Sequence, residues 1–145
     1  MNQHLHLVTL GVRDLATSRK FYTETLGWKP SSSSNEGVVF IQAGGIVLSL
    51  YPRENLAEDA MVSPEGSGFA GFTLAYNAQS EAEVDEIIND LKSKAVKIVK
   101  EPQKVFWGGY SSYFADPDNH CWEVAYNPFF PFDENGNLKL DCKLY

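Results

Sequence analysis

Two hydrophobic rhythms run along this chain, and their order repeats. Residues 4–12, HLHLVTLGV, are rich in Leu and Val and read as a buried strand. Asp14 can cap a following helix, its carboxylate accepting the first unpaired N–H groups. Leu15, Tyr22 and Leu26 fall on one helical face with Phe21 beside it, and Gly27 suits the left-handed residue that ends a helix. Four serines at 31–34 predict an exposed turn. Val38, Phe40 and Gln42 alternate with Val39 and Ile41 as a strand. Gly44-Gly45 marks a tight hairpin, and residues 46–51, IVLSLY, return as the next strand. Pro52, Pro64, Gly66 and Gly68 then punctuate residues 52–68, which read as a connection without an element of its own.

The order recurs beyond it. Residues 69–77, FAGFTLAYN, predict a strand. Ser80 opens a helix with a capping box, because Glu83 lies three residues on and can reach back. Val84, Ile87, Ile88 and Leu91 follow the spacing of a core-facing helix. Residues 95–99 read as a strand, and 110–115 with 120–126 as a hairpin. Its turn is Asp116-Pro117-Asp118-Asn119, where Pro117 presets φ and Asn119 tolerates the left-handed region. The tail is rich in Phe, Pro and Asp, with a further turn at Glu134-Asn135-Gly136.

This is an internal duplication of structural order. Each unit leaves an apolar sheet face to bury. The prediction is an α+β fold: two βαβββ modules pairing into a curved, cup-like mixed sheet with helices outside, the cup serving as a pocket. At 145 residues the chain suits one compact domain, and 43% hydrophobic residues suffice for a core. The net charge of −7 argues against nucleic acid and anionic membranes as partners, because both select cationic surfaces. No targeting or membrane-spanning segment is visible, so a cytoplasmic location is expected, with Cys121 and Cys142 as reduced thiols. A staple between the two remains the alternative.

Three stretches carry a family resemblance. LVTLGVRDLATSRKFYTETLGW resembles the first strand and helix of the vicinal-oxygen-chelate superfamily, which includes glyoxalase I, bleomycin-resistance proteins and extradiol dioxygenases. GGIVLSLYPR resembles its middle strand, and GGYSSYFADPDNHCWEVAYNP its last hairpin, where DPDG-x-x-x-E is usual. The resemblance covers residues 4–128 as one domain, with halves at about 4–52 and 69–127, and leaves 129–145 as an extension. It implies a homodimer and a divalent metal in the cup, held by His or Gln, Glu, His and Glu. Those four positions fall at Leu7, Ser49, Gly71 and Glu123, and only Glu123 matches. Leu and Gly offer no side-chain lone pair and a neutral Ser is a weak ligand, so the expectation is a cup without the family metal or other cofactor.

Glu123, between Trp122 and Val124, reads as a pocket carboxylate: a ligand anchor, a general base, or a structurally paired group. Leu7, Ser49, Tyr51, Phe72, Trp107, Tyr110 and Glu123 form the predicted ligand pocket, and Trp107-Gly108-Gly109-Tyr110 reads equally as a bulge with core aromatics. His4 and His6 share one strand face and could chelate metal or stand exposed, while His120 is placed at a loop rim. The PFFPF run at 128–132 either covers the pocket, seals a dimer or packs as a tail. Small-molecule binding without metal is the expected function. The alternatives are a glyoxalase- or dioxygenase-type enzyme with divalent metal at a rearranged site including His6 and Glu123, and a metal-free enzyme using Glu123 as base.

Overall fold

The computed structural model describes residues 1, 3, 5–70 and 72–140; His4, Gly71 and Cys142 lie outside the described residues. The chain divides into two compact units, Met1–Gly68 and Phe69–Tyr145. Among the described residues, three helices and two mixed sheets of three and four strands make it α+β.

The first unit runs β1 (Leu7–Val12), α1 (Leu15–Lys20), β2 (Val39–Ala43), β3 (Ile46–Pro52) and α2 (Arg53–Asp59). Its sheet order is β1-β3-β2, with β1 parallel and β2 antiparallel to β3. Cross-strand partners Leu10, Leu50 and Val39 share one face with Leu48 and Ile41, and all five are buried. Asp14 caps α1 as expected, accepting from the Thr17 N–H at 2.7 Å. The helix then widens into one π turn at Phe21–Thr25, where Phe21 and Tyr22 are buried. Gly27 is left-handed at φ 73°, which a Cβ would disfavour.

The second unit runs β4 (Leu74–Ala78), α3 (Glu81–Ser93), β5 (Lys97–Lys104), β6 (Tyr110–Ala115) and β7 (Cys121–Tyr126), in sheet order β4-β7-β6-β5. This is the full βαβββ unit. In the first unit the place of β5 is taken by a single antiparallel bridge, Pro30 to Ile41, on the outer side of β2. Pro30 has no N–H to donate to a longer ladder, which is a local reason for the fourth strand to shrink to a bridge. The duplication is therefore one of topology, completed by seven strands and a bridge.

Helix α3 buries Val84, Ile88 and Leu91, and half-buries Ile87. Each buried aliphatic side chain contributes roughly 2 kcal/mol of transfer free energy. Phe114 and Trp122, partners across β6 and β7, stack with centroids 6.1 Å apart.

Three expectations are corrected. Residues 52–68 contain a helix: Pro52 stands at its N-cap, where a missing N–H costs nothing, and Ala57 is buried. Pro52 thus starts an element instead of breaking one. The strand expected at 69–77 begins only at Leu74, with Phe69 and Phe72 exposed. The capping box is half formed. Ser80 Oγ accepts from the Glu83 N–H at 3.1 Å, but Glu83 reaches the Gln79 N–H at 2.7 Å and the Tyr76 hydroxyl at 2.8 Å. No described helix is long and apolar enough to cross a membrane.

Candidate functional site

The two faces of the second sheet differ in chemistry. Tyr110 donates from its hydroxyl to Asp85 on α3, and Tyr76 to Glu83, so these residues mark the helix side. Strand alternation places Ser112 and Phe114 with Tyr110, and Trp122 and Val124 with them as partners. Ser111, Tyr113 and Glu123 therefore stand on the opposite face.

That face is organised around a carboxylate. Tyr113 and Glu123 are direct cross-strand partners, and Ala75 of β4 lies beside Glu123. Ser111 Oγ donates to Glu123 Oε1 at 2.9 Å. The Tyr113 phenol lies near both Glu123 and Thr73. Burial raises the Tyr113 phenol above its ordinary value, and the negative charge of Glu123 adds to the shift. The phenol thus remains a donor at neutral pH. Ser111 supplies one hydrogen bond to this carboxylate, which has lone pairs for about four. Acceptor capacity remains for a ligand donor or cationic group.

The bulges of β5 extend this face. Register shifts fall between Ile98 and Lys100 and between Lys100 and Gln103, so Lys100 opposes Tyr113 and Gln103 opposes Ser111. The Lys100 ammonium lies over the Tyr113 ring, 5.7 Å from its centroid. Regular pairing from Ile98–Phe114 would have set Val99 opposite Tyr113 instead.

The predicted pocket residues divide. Glu123 sits in the network just described. Tyr110 stands on the α3 side, away from Glu123, because three residues separate it from Tyr113 and alternation reverses its direction. Phe72 faces the His120 ring at 6.2 Å. Trp107 covers Gly109: a Cβ added there would meet the Trp107 ring at 1.7 Å. The aromatic-glycine cluster is therefore a packed turn, in which Gly108 N–H donates to Val105 and Phe129 lies 3.2 Å from a Cβ placed on Gly108. In the first unit, Leu7, Ser49 and Tyr51 share the face opposite Leu48 and Leu50. Ser49 is buried and Leu7 is exposed. The His6 side chain belongs to an exposed residue.

One cluster escaped the sequence reading. Asp116, Asp118 and His120 bring three potential metal donors within 4.8 Å of one another. Asp116 is buried and engages both oxygens: Oδ1 accepts from the Asp118 and His120 N–H groups, and Oδ2 meets His120 Nδ1 at 2.8 Å. This fastens the β6–β7 turn, with Asn119 at φ 63°. The signal was available in Asp-x-Asp-x-His, whose first carboxylate can reach two downstream amides.

The sequence pattern of the Glyoxalase/Bleomycin resistance protein/Dioxygenase superfamily matches residues 4–124. The chain belongs to this superfamily. Among curated relatives, the fosfomycin resistance protein FosX of Listeria monocytogenes is 30% identical over 123 residues, covering 81% of this chain and 84% of that protein. A glyoxalase-related enzyme from Fulvimarina pelagi superposes with a TM-score of 0.86 at 34% identity, over 95% of this chain and 98% of that one. Lactoylglutathione lyase from Agrobacterium tumefaciens shares the fold, with a TM-score of 0.70 at 22% identity, over 92% and 100% of the two chains. At the superfamily positions expected for metal ligands, Leu7 and Gly71 carry no donor atom, Ser49 carries a hydroxyl and Glu123 a carboxylate. That donor set does not fit a divalent ion, which requires several imidazole, carboxylate or thiolate ligands to replace its water.

Proposed function

We propose that this chain binds a small organic molecule on the Glu123 face of its second sheet, without a divalent metal at the superfamily position. The supporting observation is how Glu123 is held. In place of further metal ligands, the Ser111 hydroxyl donates to the carboxylate and the Tyr113 phenol stands beside it as its cross-strand partner. Glu123 then serves as an acceptor for a ligand N–H or O–H, and in an enzymatic version as the base that receives a proton. The test is calorimetric titration of chelated, metal-free protein with a small-molecule library, beside Glu123→Gln. Gln keeps the size of the side chain but not its charge. Saturable binding by the metal-free protein that weakens at least about tenfold in Glu123→Gln is expected. Binding that appears only after a divalent metal is restored would overturn the proposal.

A second reading rests on a separate observation, the 30% identity to a FosX protein over most of both chains. Under it the chain is a metal-dependent enzyme acting on fosfomycin or a related small molecule. One tightly bound divalent ion per chain, together with loss of fosfomycin on incubation with the metal-loaded protein, would establish that reading against the first.

A further inference from the structure

Four lysines of the second unit have polar side-chain partners. Lys92 pairs with Glu101 at 2.6 Å, Lys94 with Asp90 at 2.7 Å, and Lys104 with Glu81. Lys97 reaches the Asn119 side chain at 3.3 Å. Lys100 is different. It is half-buried and its ammonium rests over the Tyr113 ring. It stands on the Glu123 face because β5 departs from regular pairing on both sides of it.

Such bulges re-aim side chains and are common beside functional sites. The second irregularity contains Pro102, which an edge strand accepts because its missing N–H breaks no inner ladder. The result is a row across three strands: Lys100, Tyr113, Glu123. Its ends carry opposite charges, and a phenol lies between them. Neighbouring strands are about 4.8 Å apart, so the end residues stand about 10 Å apart at their Cα atoms. The Lys100 side chain leans over the Tyr113 ring that stands between the two ends, so a short molecule carrying both charges can bridge the row.

We infer that this row recognises a small zwitterion, an amino acid with charges separated as in α-, β- or γ-amino acids. The Lys100 ammonium takes the carboxylate, Glu123 takes the ammonium, and the Tyr113 ring and hydroxyl support the chain between them. The inference rests on the metal-free binding reading above. It adds that both charges of the ligand are read.

Chelated full-length protein is titrated calorimetrically with the twenty protein α-amino acids, β-alanine and γ-aminobutyrate. Propanoate, butanoate, ethylamine and propylamine serve as singly charged controls. At least one amino acid should bind about tenfold or more tightly than every control. Lys100→Met should remove that preference while leaving the thermal midpoint unchanged, because Lys100 is partly exposed on an edge strand. Glu123→Gln should remove it from the other end. No amino acid binding, equal binding of a singly charged control, or unchanged affinity in Lys100→Met would overturn the inference. The underlying reading fails separately: it falls if no compound in the wider library binds without added divalent metal. It survives if uncharged or singly charged compounds bind the metal-free protein while amino acids do not.

Discussion

Ser49 and Glu123 occupy the same point in two similar lattices. Ser49 lies in β3 between Thr9 of a parallel neighbour and Phe40 of an antiparallel one. Glu123 lies in β7 between Ala75 and Tyr113 in the same two relations. The surroundings differ by a few atoms. Phe40 stands where Tyr113 carries a hydroxyl, and Val38, two residues before Phe40, stands where Ser111 supplies a second. The second lattice can hold a carboxylate because two hydroxyls flank it. The first holds a buried serine that has the Thr9 hydroxyl on the β1 side but no hydroxyl from Phe40 or Val38. Repeated topology fixes where a side chain stands, while its cross-strand neighbours decide which chemistry that position tolerates.

Transplanting the charge is the strongest way to break this comparison. Ser49→Glu should cost roughly 4 kcal/mol in denaturant unfolding, because Phe40 and Val38 offer a buried carboxylate no donor. If Phe40→Tyr and Val38→Ser added to that variant restore part of the loss, the hydroxyl pair is the cause. A full loss that nothing restores would locate the difference elsewhere.

Gly109→Ala should come next, at about 2 kcal/mol, since the new Cβ would overlap the Trp107 ring. The first unit's hairpin supplies the contrast: Gly45 has no atom within 4 Å of an added Cβ, so Gly45→Ala should cost far less. Equal midpoints for the two variants would refute the packed-turn account of Trp107. Ser80→Ala should cost about 1 kcal/mol by removing the acceptor for the Glu83 N–H. Thermal unfolding of that variant checks it.

The smallest effect is one of pH. The Tyr113 phenol is raised in the folded protein by burial and then by the Glu123 charge. A group raised on folding stabilises fully below its unfolded value near 10, and that contribution fades as pH rises through the higher folded value. Tyr113→Phe should therefore show a flatter loss of stability on the alkaline side, with one late-titrating tyrosine missing from the absorbance curve.

Much of the fold was legible because its signals are local. Asp14, Ser80, Asn119 and Gly27 each announce a cap or a turn through their own chemistry, and all four act where expected. The heptad-like spacing of Val84, Ile88 and Leu91 marked the buried side of α3. What stayed hidden depends on register. Pro102 marks an irregularity in β5, but nothing local fixes where its ladder slips, so Lys100 could not be set beside Tyr113 from sequence. Likewise Tyr110 and Glu123 appeared as common pocket residues until the pairing of Tyr113 with Glu123 put them on opposite faces. Helix α2 was missed for a different reason. Pro and Gly at the margins of 52–68 were read as describing the whole span, although Pro52 marks a beginning.

The compactness of the β6–β7 hairpin has a kinetic consequence. Ser111, Tyr113 and Glu123 are joined through a turn that Asp116 fastens with three contacts of its own. Assembling them requires closing only a short loop, and hairpins of this kind form within about 1–10 μs. The parallel pairing of β4 with β7 must instead wait for the chain to travel around α3. The hydroxyl partners from β6 can thus meet the carboxylate before the neighbouring strand docks, and the charge enters the sheet already accompanied.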